Sequence, residues 1–109
     1  MSKKFFEFGI RFEDLEKARK RIEEILQVDL EGWEGHARGG PYYAVKIEGG
    51  TELELYQNWN SIDGEWNEPD NEEFSLFIRI DQPVRADSIE GKLVDDSILR
   101  AKLIRNGEY

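Results

Sequence analysis

Cysteine is absent from the sequence and histidine occurs once, at position 36. Without thiols the chain has no disulfide framework and no thiolate metal site, and a lone histidine cannot build the multi-histidine centre of a zinc hydrolase. Lack of cysteine also fits a reducing cytoplasm. Long apolar runs are missing too. Phe5, Phe6, Phe8, Ile10 and Phe12 follow a basic start but are interrupted by Glu7 and Arg11, which is not the pattern of a signal peptide. No stretch approaches the roughly 20 apolar residues that a membrane helix needs. Phosphate-binding glycine patterns are absent, since GHARGGPYY is neither G-x-x-x-x-G-K-[ST] nor G-x-G-x-x-G. Ser61, Ser75, Ser88 and Ser97 lack a glycine-flanked elbow, and His36 reads as an ordinary polar residue at a strand end. No catalytic residue, metal site or cofactor is expected. Excess positive charge is lacking as well: 24 acids stand against 15 bases, for a net charge of −9, which repels nucleic-acid phosphates and anionic lipid and favours a basic partner. Acidity also serves solubility alone.

The 109 residues suffice for one core, so a single domain spanning 1–109 is expected. KFFEFGIRF (4–12) alternates, with Phe6, Phe8, Ile10 and Phe12 on one side, as a half-buried strand does. From Asp14, an N-cap candidate, Leu15, Ala18, Ile22, Ile25 and Leu26 fall at helical spacing, with Glu16–Lys20 and Lys20–Glu24 available as i, i+4 pairs. DLEGWEGHA (29–37) follows, then YYAVKIE and TELELYQN, joined through Gly49-Gly50 as a hairpin. That pairing puts Tyr43, Val45, Ile47, Leu53 and Leu55 on the core face. Glu52, Glu54 and Tyr56 then face outward beside Tyr42 and Lys46. FSLFIRID (74–81) is a further strand with Phe74, Leu76, Ile78 and Ile80 on one face, ended by Pro83. Asp87 and Glu90 suggest a capping box for a short helix weakened by Gly91, and Ile98–Arg105 a last strand. The order β-α-β-β-β-β-α-β implies an α+β fold, an antiparallel or mixed sheet with two helices on one face.

Between the fourth and fifth strands lies NWNSIDGEWNEPDNEE (58–73), with six carboxylates, two tryptophans and no base. The rest of the chain holds 18 acids against 15 bases, so the negative charge is largely this one segment. Sixteen residues without apolar periodicity make a long connection, and clustered carboxylates beside large rings are a costly way to build a mere connector. A contact surface explains the composition better, because tryptophan anchors interfaces and carboxylates steer a basic partner. Trp59, at a strand end, fits the core and the surface equally; Trp66, between Glu65 and Asn67, reads as an interface ring. Calcium is not indicated: with Gly64 at position six of an EF-hand loop, positions one, three and twelve fall on Trp59, Ser61 and Asp70. A glycosidase-type carboxylate pair would need a fixed separation that a mobile loop holds poorly.

The early strand and helix, then RGGPYYAVKIEGGTELELYQNWN, a polar acidic gap, FSLFIRID and a short helix before a final strand resemble small bacterial immunity proteins. A Gly-Gly-x-Tyr-Tyr hairpin, a strand ending in Gln-Asn and a strand after a Glu/Pro/Asp-rich loop recur in that order in such families. Here the pattern runs over residues 36–105. The acidic loop and Trp33, Trp59 and Trp66 need not be shared within such a family. The resemblance implies a cytoplasmic, non-enzymatic protein that binds and neutralises one cognate toxin, as in contact-dependent growth inhibition, where toxin domains are commonly nucleases. The physical reading is compatible: a nuclease presents a basic cleft, and an acidic, aromatic surface complements it. The expected toxin-binding residues are Asp63, Glu65, Glu68, Asp70, Glu72 and Glu73 for steering and ion pairs, Trp66 with Trp59 as anchors, and Glu52, Glu54 and Tyr56 as an extension across the sheet. A small-ligand domain or small enzyme with a pocket lined by Tyr42, Tyr56 and Trp33 is the alternative, and an acidic adaptor a third.

Overall fold

The computed structural model describes residues 3–11, 14–35, 40–47, 49–83 and 89–109. In chain order the elements are β1 (Lys3–Ile10), α1 (Leu15–Leu26), β2 (Glu31–Gly35), β3 (Gly40–Ile47), β4 (Thr51–Gln57), β5 (Trp59–Asn60), β6 (Glu65–Trp66), β7 (Leu76–Pro83), α2 (Glu90–Val94) and β8 (Lys102–Glu108). Six strands form one antiparallel sheet in the order β2-β3-β4-β7-β1-β8, and β5 and β6 form a separate two-stranded ribbon. The fold is α+β. The two helices pack against the same face of the sheet, in a core that joins Phe6, Phe8 and Ile10 of β1, Leu53 and Leu55 of β4, Ile78 and Ile80 of β7, Ala18 and Ile22 of α1 and Leu93 of α2.

Period-2 alternation in β1 and β4 and the helical stripe of α1 place these residues as the sequence suggests; Phe12 lies outside the described residues. Asp14 caps α1 by accepting a hydrogen bond from the Lys17 N–H at 3.1 Å. The β3–β4 register pairs Tyr43 with Leu55 and Val45 with Leu53, and Gly49 and Gly50 both take positive φ (95° and 91°) in the turn. Among the described residues the arginines of α1 hold its ion pairs, not Lys20: Arg19 with Glu16 and Glu23, and Arg21 with Glu24.

Three expectations shift. The last strand begins at Lys102, not Ile98, because Asp96 organises residues 98–100 as a turn. Its carboxylate accepts from the Leu99 N–H at 2.8 Å, its carbonyl accepts from the Arg100 N–H at 3.1 Å, and Arg100 takes φ 51°. Leu99 and Ala101 thereby plug the core from a turn. Asp96 also receives both Arg21 Nε and Nη2, tying this turn to α1, and the guanidinium holds the Asp96 carboxyl below the usual carboxylate range. Secondly, Phe74 does not share a face with Leu76, Ile78 and Ile80. The strand starts only at Leu76, and the Phe74 ring lies on the opposite face over Gly9, where a β-carbon would come within 2.4–2.7 Å of ring atoms. Thirdly, Tyr56 points to that same face but is buried (5% exposed), packed with Phe74 and Phe77 and flanked by Tyr42 and Ile104. The proposed helix cap at Asp87 lies outside the described residues.

Candidate functional site

The face of the sheet away from the helices carries two polar regions: the acidic segment after β4 and a groove beside β2. They are joined by the aromatic cluster of Tyr42, Tyr56, Phe74 and Phe77.

The segment 58–73 is a folded ribbon, and its asparagines build it. Asn58 is fully buried; its Nδ2 donates to the carbonyls of Asn71 (3.1 Å) and Phe74 (3.0 Å), while its Oδ1 accepts from the Glu68 N–H (2.9 Å). One carboxamide thus uses both donors and its acceptor to pin both ends of the segment together. Asn60 makes the turn: its Oδ1 accepts from the N–H groups of Ile62 (3.0 Å) and Asp63 (2.9 Å), the local bonding that favours asparagine in turns. Gly64, at φ 70°, follows with its N–H bonded to the Asn60 carbonyl. Asn67 donates to the Gln57 carbonyl at 3.0 Å and so fastens the returning strand to the end of β4. Trp59 and Trp66 face each other across β5–β6 with ring centroids 5.3 Å apart, edge to face at 79°. A short 3-10 turn at Pro69–Asn71 carries Asp70.

This scaffold sorts the expected contact residues. Asp63 and Glu65 are exposed near the ribbon's tip, and Asp70, Glu72 and Glu73 are exposed on the return. Glu73 makes only a loose exposed pair with Arg11, at 3.5 Å. Trp59 is the more open indole, at 45%, and Trp66 is half-buried against it. Glu68 turns inward instead, to Arg105 at 2.8 Å. Tyr56 is removed from the surface, correcting its expected outward role: Phe74, just past the segment, folds down beside it. Glu52 is exposed opposite Lys46, and Glu54 is half-buried on β4 across from Arg79 of β7.

Between these regions and the far edge runs an ionic network. Arg79 donates to Asp81 (2.8 and 3.0 Å) and to Glu7 (2.7 Å), and its guanidinium lies 4.7 Å from the Phe5 ring centroid. Arg105 bridges Glu7 (3.0 Å) to Glu68 (2.8 Å), so the ribbon is also tied by charge to β1 and β8. Burial pushes the Asp81 carboxyl up, and hydrogen bonds from Arg79 and the Tyr109 hydroxyl outweigh it, leaving the group below the usual range. The Arg79 guanidinium is raised further by Asp81, and Asp81 raises the Tyr109 phenol. Carboxylates clamped by arginine this way are structural anions and poor proton carriers. Among the described residues no group of three His, Asp or Glu side chains is placed to hold a metal ion. His36 lies outside the described residues.

The groove is an opening of about 610 Å³ between Trp33, Tyr42 and the carboxylates of Asp29, Glu31, Glu52 and Glu54, with Lys46 the one base on its lining among the described residues. It contains two of the three rings expected for a sheet-face pocket, Trp33 and Tyr42, and not the buried Tyr56. Asp29 and Glu31 were not singled out from the sequence; their signal is the D-L-E-G-W-E-G run, where acids alternate with glycine around a tryptophan. Asn58 was legible only as a strand end opening the acidic segment, and Asn60 and Asn67 only as loop residues. Among the described residues no helix is long and apolar enough to cross a membrane. In comparisons with known proteins, no family model, no curated protein and no solved structure matches this chain.

Proposed function

We propose that this domain is an immunity protein of the bacterial cytoplasm that binds and neutralises a cognate toxin domain, a basic nuclease, by occupying its cationic surface and not by catalysis. The observation that carries the reading is the construction of segment 58–73. Five of its six carboxylates are exposed on a ribbon that is hydrogen-bonded before any partner arrives, next to a pair of partly exposed indoles. Preorganisation lowers the ordering cost of association, and clustered like charge on a rigid ribbon focuses a field on an oppositely charged partner. Asp63, Glu65, Asp70, Glu72 and Glu73 supply that field. Trp59 and Trp66 supply apolar area for the centre of a contact. Glu68 serves the ribbon's own attachment through Arg105.

The test is capture and rescue with the product of the reading frame immediately upstream. A basic protein retained at low salt, released as salt rises, and lethal to cells unless this domain is co-expressed is the expected result. Failure to capture a basic protein, with growth indifferent to the domain, overturns the reading. The groove beside β2 favours the ligand-binding alternative, which predicts a small molecule that raises the melting temperature with no protein partner required.

A further inference from the structure

β2 is an edge strand: it pairs with β3 on one side and, among the described residues, with nothing on the other. An edge exposes a row of backbone donors and acceptors that can pair with a further strand, and proteins usually blunt it with a bulge, proline or lysine. β2 has none of these. Its sequence is EGWEG, its first four residues are exposed, its pairing with β3 runs without a register shift, and Trp33 stands 53% exposed. Among the described residues its guards are the carboxylates of Glu31 and Glu34. These do not close the edge; they select what can approach it. A second copy would bring the same acids against each other in a chain already at −9, whereas a basic strand would neutralise them.

Glu31 and Trp33 lie beside Ala44 and Tyr42, and the small Ala44 leaves the floor of the groove low between the Trp33 and Tyr42 rings and the carboxylates of Glu52 and Glu54. Asp29, Glu31 and Glu52 have no ion-pair partner among the described residues, although Lys46 stands across from Glu52. An indole face next to carboxylates, with Lys46 the one base on the groove lining among the described residues, is the environment that attracts an ammonium or guanidinium group. In a strand added at β2, alternate side chains would enter this groove and the others would face away.

We propose that β2 accepts an extended lysine- or arginine-bearing segment of a protein partner as a seventh strand of the sheet. Backbone hydrogen bonds run along β2, and alternate cations seat between Trp33 and the carboxylates of Glu31 and Glu52. This deepens the inhibitor reading, on which it rests for a basic protein as the partner, and adds a second contact beside the acidic ribbon.

The experiment uses the full chain, labelled for NMR, and two synthetic peptides of equal length and charge. One alternates lysine or arginine with valine; the other carries proline in place of valine, which cannot extend a ladder. The alternating peptide should shift the amides of residues 31–35 and bind at least about tenfold more tightly than the proline peptide. Trp33→Ala, at an exposed position, and Glu31→Gln with Glu52→Gln should each weaken it by about tenfold, with the fold intact by circular dichroism. Equal binding of both peptides, shifts confined to the 58–73 ribbon, or a peptide-free dimer mapped to β2 overturns the proposal. Peptide binding at β2 without capture of a basic upstream product would sink the inhibitor reading and leave the strand-accepting edge standing. Capture of that product with β2 silent to the peptides would do the reverse.

Discussion

Replacing Asn58 tests whether the acidic segment is a folded element. Its carboxamide is fully buried and makes three hydrogen bonds, two as donor and one as acceptor. Asn58→Ala leaves the Glu68 N–H without its partner and removes a donor from the carbonyl of Phe74; the Asn71 carbonyl keeps a bond from the Phe74 N–H at 3.0 Å. With about 1–3 kcal/mol for a buried group left unsatisfied, the loss should come to roughly 2–3 kcal/mol. For a domain of this size that is a fall in Tm of about 8–12 °C. Asn58→Asp should be worse, at roughly 3–5 kcal/mol, because a carboxylate would confront two carbonyl oxygens with no water to screen it. Its sign with pH is fixed. Burial between carbonyls raises the introduced carboxyl's pKa in the folded state, so the penalty is smallest at low pH and grows as pH rises, and the gap to the wild type should narrow from pH 7 to pH 4. Urea unfolding followed by tryptophan fluorescence reads the loss, since Trp59 and Trp66 sit on the ribbon. Equal stability of the Ala and Asp variants, or a loss under about 0.5 kcal/mol for both, would refute the assigned geometry.

Other expectations follow from the same contacts. Gly9→Ala should cost about 1–3 kcal/mol by forcing the Phe74 ring away, and adding Phe74→Leu should recover part of it in a double-mutant cycle of urea midpoints. Arg79→Met should cost about 2 kcal/mol in chemical denaturation, because it takes the guanidinium from Glu7 and Asp81, whose side chains are only 10% and 15% exposed, and leaves Glu7 to Arg105 and Asp81 to the Tyr109 hydroxyl. Asp81 and Asp96 are both held below the usual carboxylate range, so each contributes stability above its unfolded pKa and loses it as pH falls through the lower folded value. Acid titration of Asp96→Asn should therefore show a flatter decline than wild type below about pH 4. Gln82 is buried with no hydrogen-bond partner for its carboxamide among the described residues, so Gln82→Met should raise stability by about 1 kcal/mol by thermal melting, and a loss would contradict its unpaired state.

The framework was legible because its signals are local and periodic. Alternation in β1 and β4, the helical stripe of α1 and the Gly49-Gly50 turn each fix a face without knowledge of distant residues. Failures came where a residue's fate depends on something far along the chain. Tyr56 obeys its alternation and points away from the helices, yet it is buried because Phe74 folds back over Gly9 to pack with Phe77 beside it. Ile98 and Leu99 carry strand-like apolarity, but Asp96, clamped by Arg21 seventy-five positions earlier, turns the chain there. In the acidic segment composition was visible and architecture was not. Six carboxylates announce themselves in the sequence, whereas Asn58 and Asn60 matter through partners up to 16 residues away. Glu68 illustrates the consequence: it looks like its acidic neighbours, and only Arg105 of β8 makes it an attachment point.

The most direct test of the central claim is the association rate of the purified domain with the proposed partner, the product of the reading frame upstream. It should be measured by stopped flow at two ionic strengths for the wild type and for a variant carrying Asp63→Asn, Glu65→Gln, Asp70→Asn and Glu72→Gln. These side chains are exposed, so the fold should survive. Association should be at least about tenfold slower for the variant at low salt, with the difference shrinking as salt rises. Identical rates and identical salt dependence for the two proteins would contradict it, and would place the binding surface away from the ribbon.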